Sequence, residues 1–187
     1  MNSGKKALLA LAVSALISGY AMADDVPGGG GKITFNGTVT SAPCTIKDSD
    51  TDKKVGLGEV PATYINTNTH SDAQDFDITL ENCTVGGFND GAGGTISKVN
   101  ITFTSSNVVS GGSGLLSNTA AGGAANVGVR LMDGDGKNIT LGTAKTLDLN
   151  KDSTTQTLPF KAWMEKTGAD AGTGVVTATA NYTLIYN

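Results

Sequence analysis

Alternation constrains this chain more than any other feature. From Ile33 to Tyr186, short runs set apolar residues at every second position and polar ones between them. The run KITFNGTV places Ile33, Phe35, Gly37 and Val39 on one side; QDFDITLENC does the same with Phe76, Ile78 and Leu80. SKVNITFTSS aligns Val99, Ile101 and Phe103, and QTLPFKAWMEK aligns Leu158, Phe160 and Ala162. The closing VVTATANYTLIYN keeps Val176, Ala178, Ala180, Tyr182, Leu184 and Tyr186 in one phase. A period of two marks strands with one buried face.

Shorter stretches repeat the pattern in CTIKD and in KKVGLGEV, where Val55 and Leu57 share a face before Gly58 breaks it. Cys83 falls out of phase with Phe76, Ile78 and Leu80, which predicts a bulge or strand end just before it. In NVGVRLMDGDGKNITLG, Val127, Val129 and Leu131 alternate, Asp133 to Gly136 supplies a turn, and Ile139 and Leu141 return; this reads as a hairpin. No segment carries a sustained helical period capped at both ends. About seven to nine short strands between turn signals predict an all-β, antiparallel β-sandwich of immunoglobulin-like type. Trp163 lies far beyond Cys83, so the Cys–Trp–Cys order of antibody domains is absent.

Composition agrees with strands and turns. The apolar fraction (39%) and charged fraction (16%) are both low, and Gly, Thr, Ser, Asn and Ala make up the difference. A formal net charge of −4 with no basic cluster argues against nucleic acid as a partner. The start is different in kind: Lys5 and Lys6, an apolar run from Ala7 to Ile17, then Ala21-Met22-Ala23. That order predicts a secretory signal peptide over residues 1–23 and a mature chain from Asp24. No later stretch is apolar enough to span a bilayer. In an exported chain the two cysteines, Cys44 and Cys83, default to a disulfide.

Candidate chemistry is sparse. His70 is the only histidine, in the polar stretch INTNTHSD, where a solvated role is expected. There is no G-x-S-x-G, and no second histidine to support a triad or a histidine metal site. Asp133 to Asn138 superficially matches a calcium loop, but Lys137, Asn138 and Ala144 occupy positions that need a ligand, a glycine and a glutamate. A hairpin turn is the better reading. The expectation is a protein without catalytic residues, metal or cofactor.

Two features at the ends stand out. KITFNGTV follows four glycines, Gly28 to Gly31, a composition that gives a flexible tether. The last alternating run reaches Tyr186, the penultimate residue, leaving an uncovered strand edge that is a liability unless something pairs with it. From the pattern alone, the tethered strand either folds back within its own chain or pairs with a neighbour.

The segments GKITFNGTVTSAPCTI, VGLGEV, FDITLENC, NVGVRLMDGDGKNITL and ANYTLIYN, in this order, resemble the major pilin subunits of chaperone–usher fimbriae, the P-pilus rod and type 1 pilin family. The resemblance implies an immunoglobulin-like sandwich lacking its final strand, completed by a donor strand from another subunit. It divides the chain into a signal peptide (1–23), an N-terminal donor-strand extension (24–41) and a pilin domain (42–187). The donor strand would run over about Lys32 to Thr40, with Ile33, Phe35 and Val39 inserted and Gly37 at a position of close backbone approach.

In the groove-forming C-terminal strand, Gly174, Tyr182, Leu184, Tyr186 and Asn187 take the family's positions. Tyr186 would meet a periplasmic chaperone, and basic chaperone residues would grip the carboxylate of Asn187. Cys44 and Cys83 match a disulfide joining the first two strands. The implied function is a structural major subunit that polymerises by donor-strand exchange and supports bacterial adhesion. A minor adaptor pilin or a carbohydrate-binding fimbrial adhesin is the alternative; the chain is too short for the adhesin's additional lectin domain. Implied partners are identical pilin subunits, the periplasmic chaperone and the outer-membrane usher. A host receptor would be met only through the assembled fibre, at the cell surface after passage through the periplasm.

Overall fold

Strands form where the alternation is strongest and where a partner strand is available. The computed structural model describes residues 29–87, 95–111 and 114–187, so the expected signal peptide lies outside the described residues. Eight strands occur among them: β1 (Thr45–Ile46), β2 (Gln74–Glu81), β3 (Lys98–Thr104), β4 (Leu115–Ser117), β5 (Val127–Asp133), β6 (Ala144–Asp148), β7 (Gln156–Lys166) and β8 (Asn181–Tyr186). They make a five-stranded sheet, β1-β2-β7-β5-β4, and a three-stranded sheet, β6-β3-β8. Every pairing is antiparallel. Residues 40–187 form one compact unit.

The alternating residues face each other between the sheets. Ile78 and Leu80 from β2, Leu158, Phe160 and Ala162 from β7, and Val129 and Leu131 from β5 meet Val99, Ile101 and Phe103 from β3. Phe103 sets its edge against Phe160, with ring centroids 5.1 Å apart and planes at 81°. That arrangement suits the aromatic quadrupole and adds to the area buried. The register places Phe76 opposite Phe160 and Ile78 opposite Leu158, so one face of the β2–β7 pair is continuously apolar.

The predicted turn is present, but its return arm is a single bridge, Met132 opposite Asn138, and Ile139 and Leu141 form no strand. Asp133 accepts the N–H of Asp135 and of Lys137 on one carboxylate oxygen and the ammonium of Lys145 on the other. Gly136 sits at φ +80°, where a side chain would be strained. Asp133 therefore holds its own turn, and burial, which would raise its pKa, is outweighed by these donors, so the carboxyl titrates below its ordinary range. Cys83 follows a strand end as expected: β2 stops at Glu81 and Asn82 adopts φ +54°.

Two expectations need correction. Short helices do occur, α1 (Asp48–Thr51) and α2 (Ala62–Asn68), too brief to show a helical period in the sequence. His70, just past α2, is not a free loop residue. Its ring stacks on Trp163 at 3.8 Å with planes 8° apart. Trp163 donates to Glu165 (2.9 Å), and Arg130 makes a two-pronged contact to the same carboxylate (3.0 and 2.7 Å). The guanidinium first, opposed by burial, keeps Glu165 ionised below its usual range. This cluster rivets the segment after α2 to the outer face of β5 and β7.

Cys44 and Cys83 are bonded, joining the start of β1 to the end of β2 across 39 residues of sequence. Replacing both with serine should cost about 4 kcal/mol in the loop-entropy account. Urea unfolding of the paired-serine variant against the intact chain measures it; an unchanged midpoint would remove the cross-link from the stability account.

Candidate acceptor groove

One edge of the sandwich is open. Residues 53–60 follow α1 without joining a strand, and residues 174–180, also outside any strand, lead into β8. Between them lies a groove of about 1570 Å³, floored by core residues including Phe76, Ile78, Phe103 and Leu131. Val55, Leu57 and Val60 are the half-buried residues of the first wall. On the second wall Val176, Ala178, Ala180, Tyr182, Leu184 and Tyr186 are half-buried while every residue between them is exposed. This is the phase expected from the sequence, but the side chains stop halfway: they face the core, and among the described residues nothing covers them.

The backbone explains what is missing. Asn187 and Lys98 exchange both backbone hydrogen bonds. In an antiparallel ladder such pairs alternate, so Ile185, Thr183 and Asn181 also point their N–H and C=O groups at β3. Further back, the carbonyls of Val175 and Thr177 accept from Ala124 (3.0 Å) and Thr119 (2.8 Å), and that of Thr179 accepts from the Ser105 hydroxyl (2.7 Å). The even-numbered residues therefore direct their backbone groups to the other side, into the groove. Val176, Ala178 and Ala180 make no backbone hydrogen bond among the described residues, and neither do residues 53–60. The expected strand from Val176 is a regular strand only from Asn181, because β3 ends at Thr104, opposite Asn181, and residues before it have no ladder on either side. Apolar side chains and unpaired amides on one edge form a template for an added strand.

Two residues that carried no sequence signal hold this edge in place. Asn118 accepts the N–H of Thr177 (2.9 Å) and of Ala120 (3.1 Å), and donates to the carbonyls of Val175 (2.9 Å) and Ala124 (3.0 Å). Asp50 is buried; burial alone would raise its pKa, but donors from Lys53, the Thr79 N–H and Ser49 hold it down to about 2. Its carbonyl accepts the Tyr182 hydroxyl at 2.7 Å, which ties the base of the first wall to the second. A lone Asn in a Gly/Ala loop and an Asp in a polar run look like solvated residues in sequence. Only the fold brings them to the groove.

The expected groove residues fall on this edge. Tyr182 lines the groove, Leu184 and Tyr186 continue the same half-buried phase along β8 beyond it, and burial raises the pKa of both tyrosine hydroxyls, helped by Asp50 for Tyr182 and by Tyr182 for Tyr186. Both stay neutral at physiological pH. The Asn187 carbonyl accepts the N–H groups of Ser97 (2.8 Å) and Lys98 (3.0 Å), fixing the end of the strand. Gly174 has φ +142°, and a Cβ there would come within 2.6 Å of the Ala124 nitrogen. Only glycine fits where this wall crosses residues 123–124. Of the expected donor residues, Ile33, Phe35 and Val39 are 77%, 87% and 100% exposed, and residues 29–40 carry no strand. Their alternation has no ladder to satisfy it.

Asp50 links the groove to pH. Its folded pKa lies below the ordinary 3.8, so folding favours the carboxylate. The stabilisation is complete above about pH 4 and drains away as pH falls towards 2, amounting to about 2 kcal/mol. Acid unfolding should lose that slope in Asp50→Asn; an identical pH profile would show that the carboxylate is not held by folding. Asn118→Ala should cost about 2 kcal/mol and raise amide exchange at Thr177 while leaving Ile101 protected. Unchanged exchange at Thr177 would contradict the role given to Asn118.

Comparison with known proteins agrees with this architecture. The family model described as fimbrial protein matches residues 33–187. The fimbrial-like protein YbgD of Escherichia coli (strain K12) is 47% identical, covering 100% of both chains. The Pap fimbrial major pilin protein of Escherichia coli is 32% identical, covering 97% of this chain and 98% of that protein. Among solved structures, a subunit of a chaperone–usher pilus superposes with a TM-score of 0.72 at 29% identity, over 88% of this chain and 100% of that one. The P pilus rod subunit PapA follows at a TM-score of 0.65 and 26% identity, over 78% and 100%. The Pap protein and these two solved structures are structural pilus subunits rather than enzymes. With its immunoglobulin-like sandwich and its family match across most of the sequence, the chain belongs to the fimbrial protein family of chaperone–usher pilus subunits.

Proposed function

We propose that the chain is a rod-forming major pilin, polymerising when residues Lys32–Thr40 of one copy enter the open groove of the next. The observation that carries this reading is the groove edge, where alternate residues from Val176 to Tyr186 offer both an uncovered apolar side chain and unpaired backbone groups. The chain itself contains a segment of matching period with its apolar side chains in solvent. Burying Ile33, Phe35 and Val39 would contribute about 5–9 kcal/mol at the usual value per large apolar side chain. A ladder along both walls would add to it. Gly37 would supply clearance where the backbone passes closest to the groove floor.

Entry of one copy's segment into the next copy's groove is a head-to-tail contact that does not close, so it yields a filament. Before assembly the same edge needs cover, and a periplasmic chaperone with a donor strand of its own fits that need. Tyr186 and the Asn187 carboxylate are the contacts assigned to it, and the outer-membrane usher is the place of exchange. The fibre would then stand on the cell surface. The similarity to the Pap major pilin along nearly the whole of both chains favours the rod role over an adaptor role.

Appending residues 32–40 after Asn187 through a short linker should give a stable monomer, with the natural chain forming fibres or requiring a chaperone. A natural chain that stays folded, monomeric and inert on its own would overturn the open-sandwich reading. Gly37→Asn should slow fibre growth by at least about tenfold, since a side chain at the point of closest approach must be accommodated. Growth at the natural rate from that variant would sink the assigned register.

A further inference from the structure

We propose that Asn36–Gly37 is a self-modification site, at which spontaneous deamidation gives the unpaired donor segment a limited chemical lifetime. The proposal rests on the reading of residues 32–40 as a donor strand. Asn36 is the only asparagine in the chain followed by glycine. It lies where residues 29–40 are all exposed and in no strand, and a Cβ added at Gly37 would meet nothing within 4 Å. Its side chain makes no hydrogen bond among the described residues, whereas Asn66, Asn118 and Asn126 are each held by one or more.

The chemistry needs only water. The Gly37 backbone nitrogen attacks the Asn36 side-chain carbon; a new C–N bond forms, the nitrogen loses its proton, and ammonia departs. The resulting five-membered imide is opened by water at either carbonyl, leaving aspartate or its isomer, in which the main chain runs through the side-chain carbon. Net, an amide and water become a carboxylic acid and ammonia, with no redox change. Attack requires the Gly37 nitrogen to swing towards the side chain of Asn36. Glycine lacks the Cβ that hinders this elsewhere, and an exposed, unpaired backbone is free to make the move.

Either product damages a donor strand. The isomer inserts one extra main-chain carbon between Phe35 and Gly37, so Ile33 and Phe35 can no longer share a register with Gly37 and Val39. Aspartate adds a negative charge at the same place. Pairing would block the reaction, because a ladder holds Asn36 extended and engages the neighbouring backbone groups. Subunits already in a fibre would be preserved while unassembled ones lose the ability to join.

The full chain is aged in warm, mildly alkaline buffer with an excess of a synthetic peptide of residues 29–41 carrying Gln in place of Asn36, which keeps subunits from joining. An assembled sample is aged beside it. After reduction, the tryptic peptide spanning residues 33–47 is assayed for aspartate and its isomer. Asn36 should convert about tenfold faster than Asn107 or Asn138, which are exposed but precede Val108 and Ile139. Conversion should be about tenfold slower in the fibre. Aged chains, freed of peptide, should join fibres less than fresh ones, and Asn36→Gln chains should keep their competence. Conversion at Asn36 no faster than at Asn107, or undiminished joining by aged chains, would overturn the proposal. The donor reading fails separately, if fresh natural chains build fibres in which residues 32–40 remain open to protease.

Discussion

From Val176 through β8 runs an edge whose alternate residues turn apolar side chains to the core and leave their backbone groups unpaired among the described residues. That unmet demand shapes the rest of the domain. Buried apolar surface favours closing the groove, yet the only way to cover Val176, Ala178 and Ala180 while pairing their backbone is another strand. Loops cannot supply it, since residues 53–60 face the same gap with their own unpaired groups. The domain is therefore built to be stable everywhere except along one line.

The surrounding structure holds that line open and straight. Asn118 fixes Val175 and Thr177 from behind, the Gly174 crossing anchors the start, and Asn187 is pinned by Ser97 and Lys98. The Cys44–Cys83 bond and the buried Asp50 tie down the segment leading into the first wall. On the opposite face of strands that floor the groove, the His70–Trp163 stack and the Arg130–Glu165 pair brace the five-stranded sheet. Each of these contacts is complete within the domain, whereas the groove edge has backbone groups and apolar side chains without a partner among the described residues.

Much of this was legible in the residues. Ile78, Leu80, Ile101, Phe103 and Phe160 are core residues for the reason the alternation implied, and the turn at Asp133 to Gly136 lies where its chemistry placed it. The two short helices, of about one and two turns, were hidden because so few turns show no sustained period. The role of His70 was hidden because its neighbour, Trp163, is distant in sequence and reaches it only through the strand register. Asn118 and Asp50 looked like solvated polar residues for the same reason.

The sequence by itself determined the fold class, the inward-facing residues, the cysteine pair and the two alternating runs whose pairing it left open, because period and residue chemistry are local. Tertiary structure decided that the later of those runs borders an open groove rather than closing the sandwich. Burial and backbone pairing depend on which strands become neighbours, and that is not written into any single run of residues. The pattern Val176 to Tyr186 is the same whether its edge is covered or bare; only the positions of β3 and residues 53–60 make it bare.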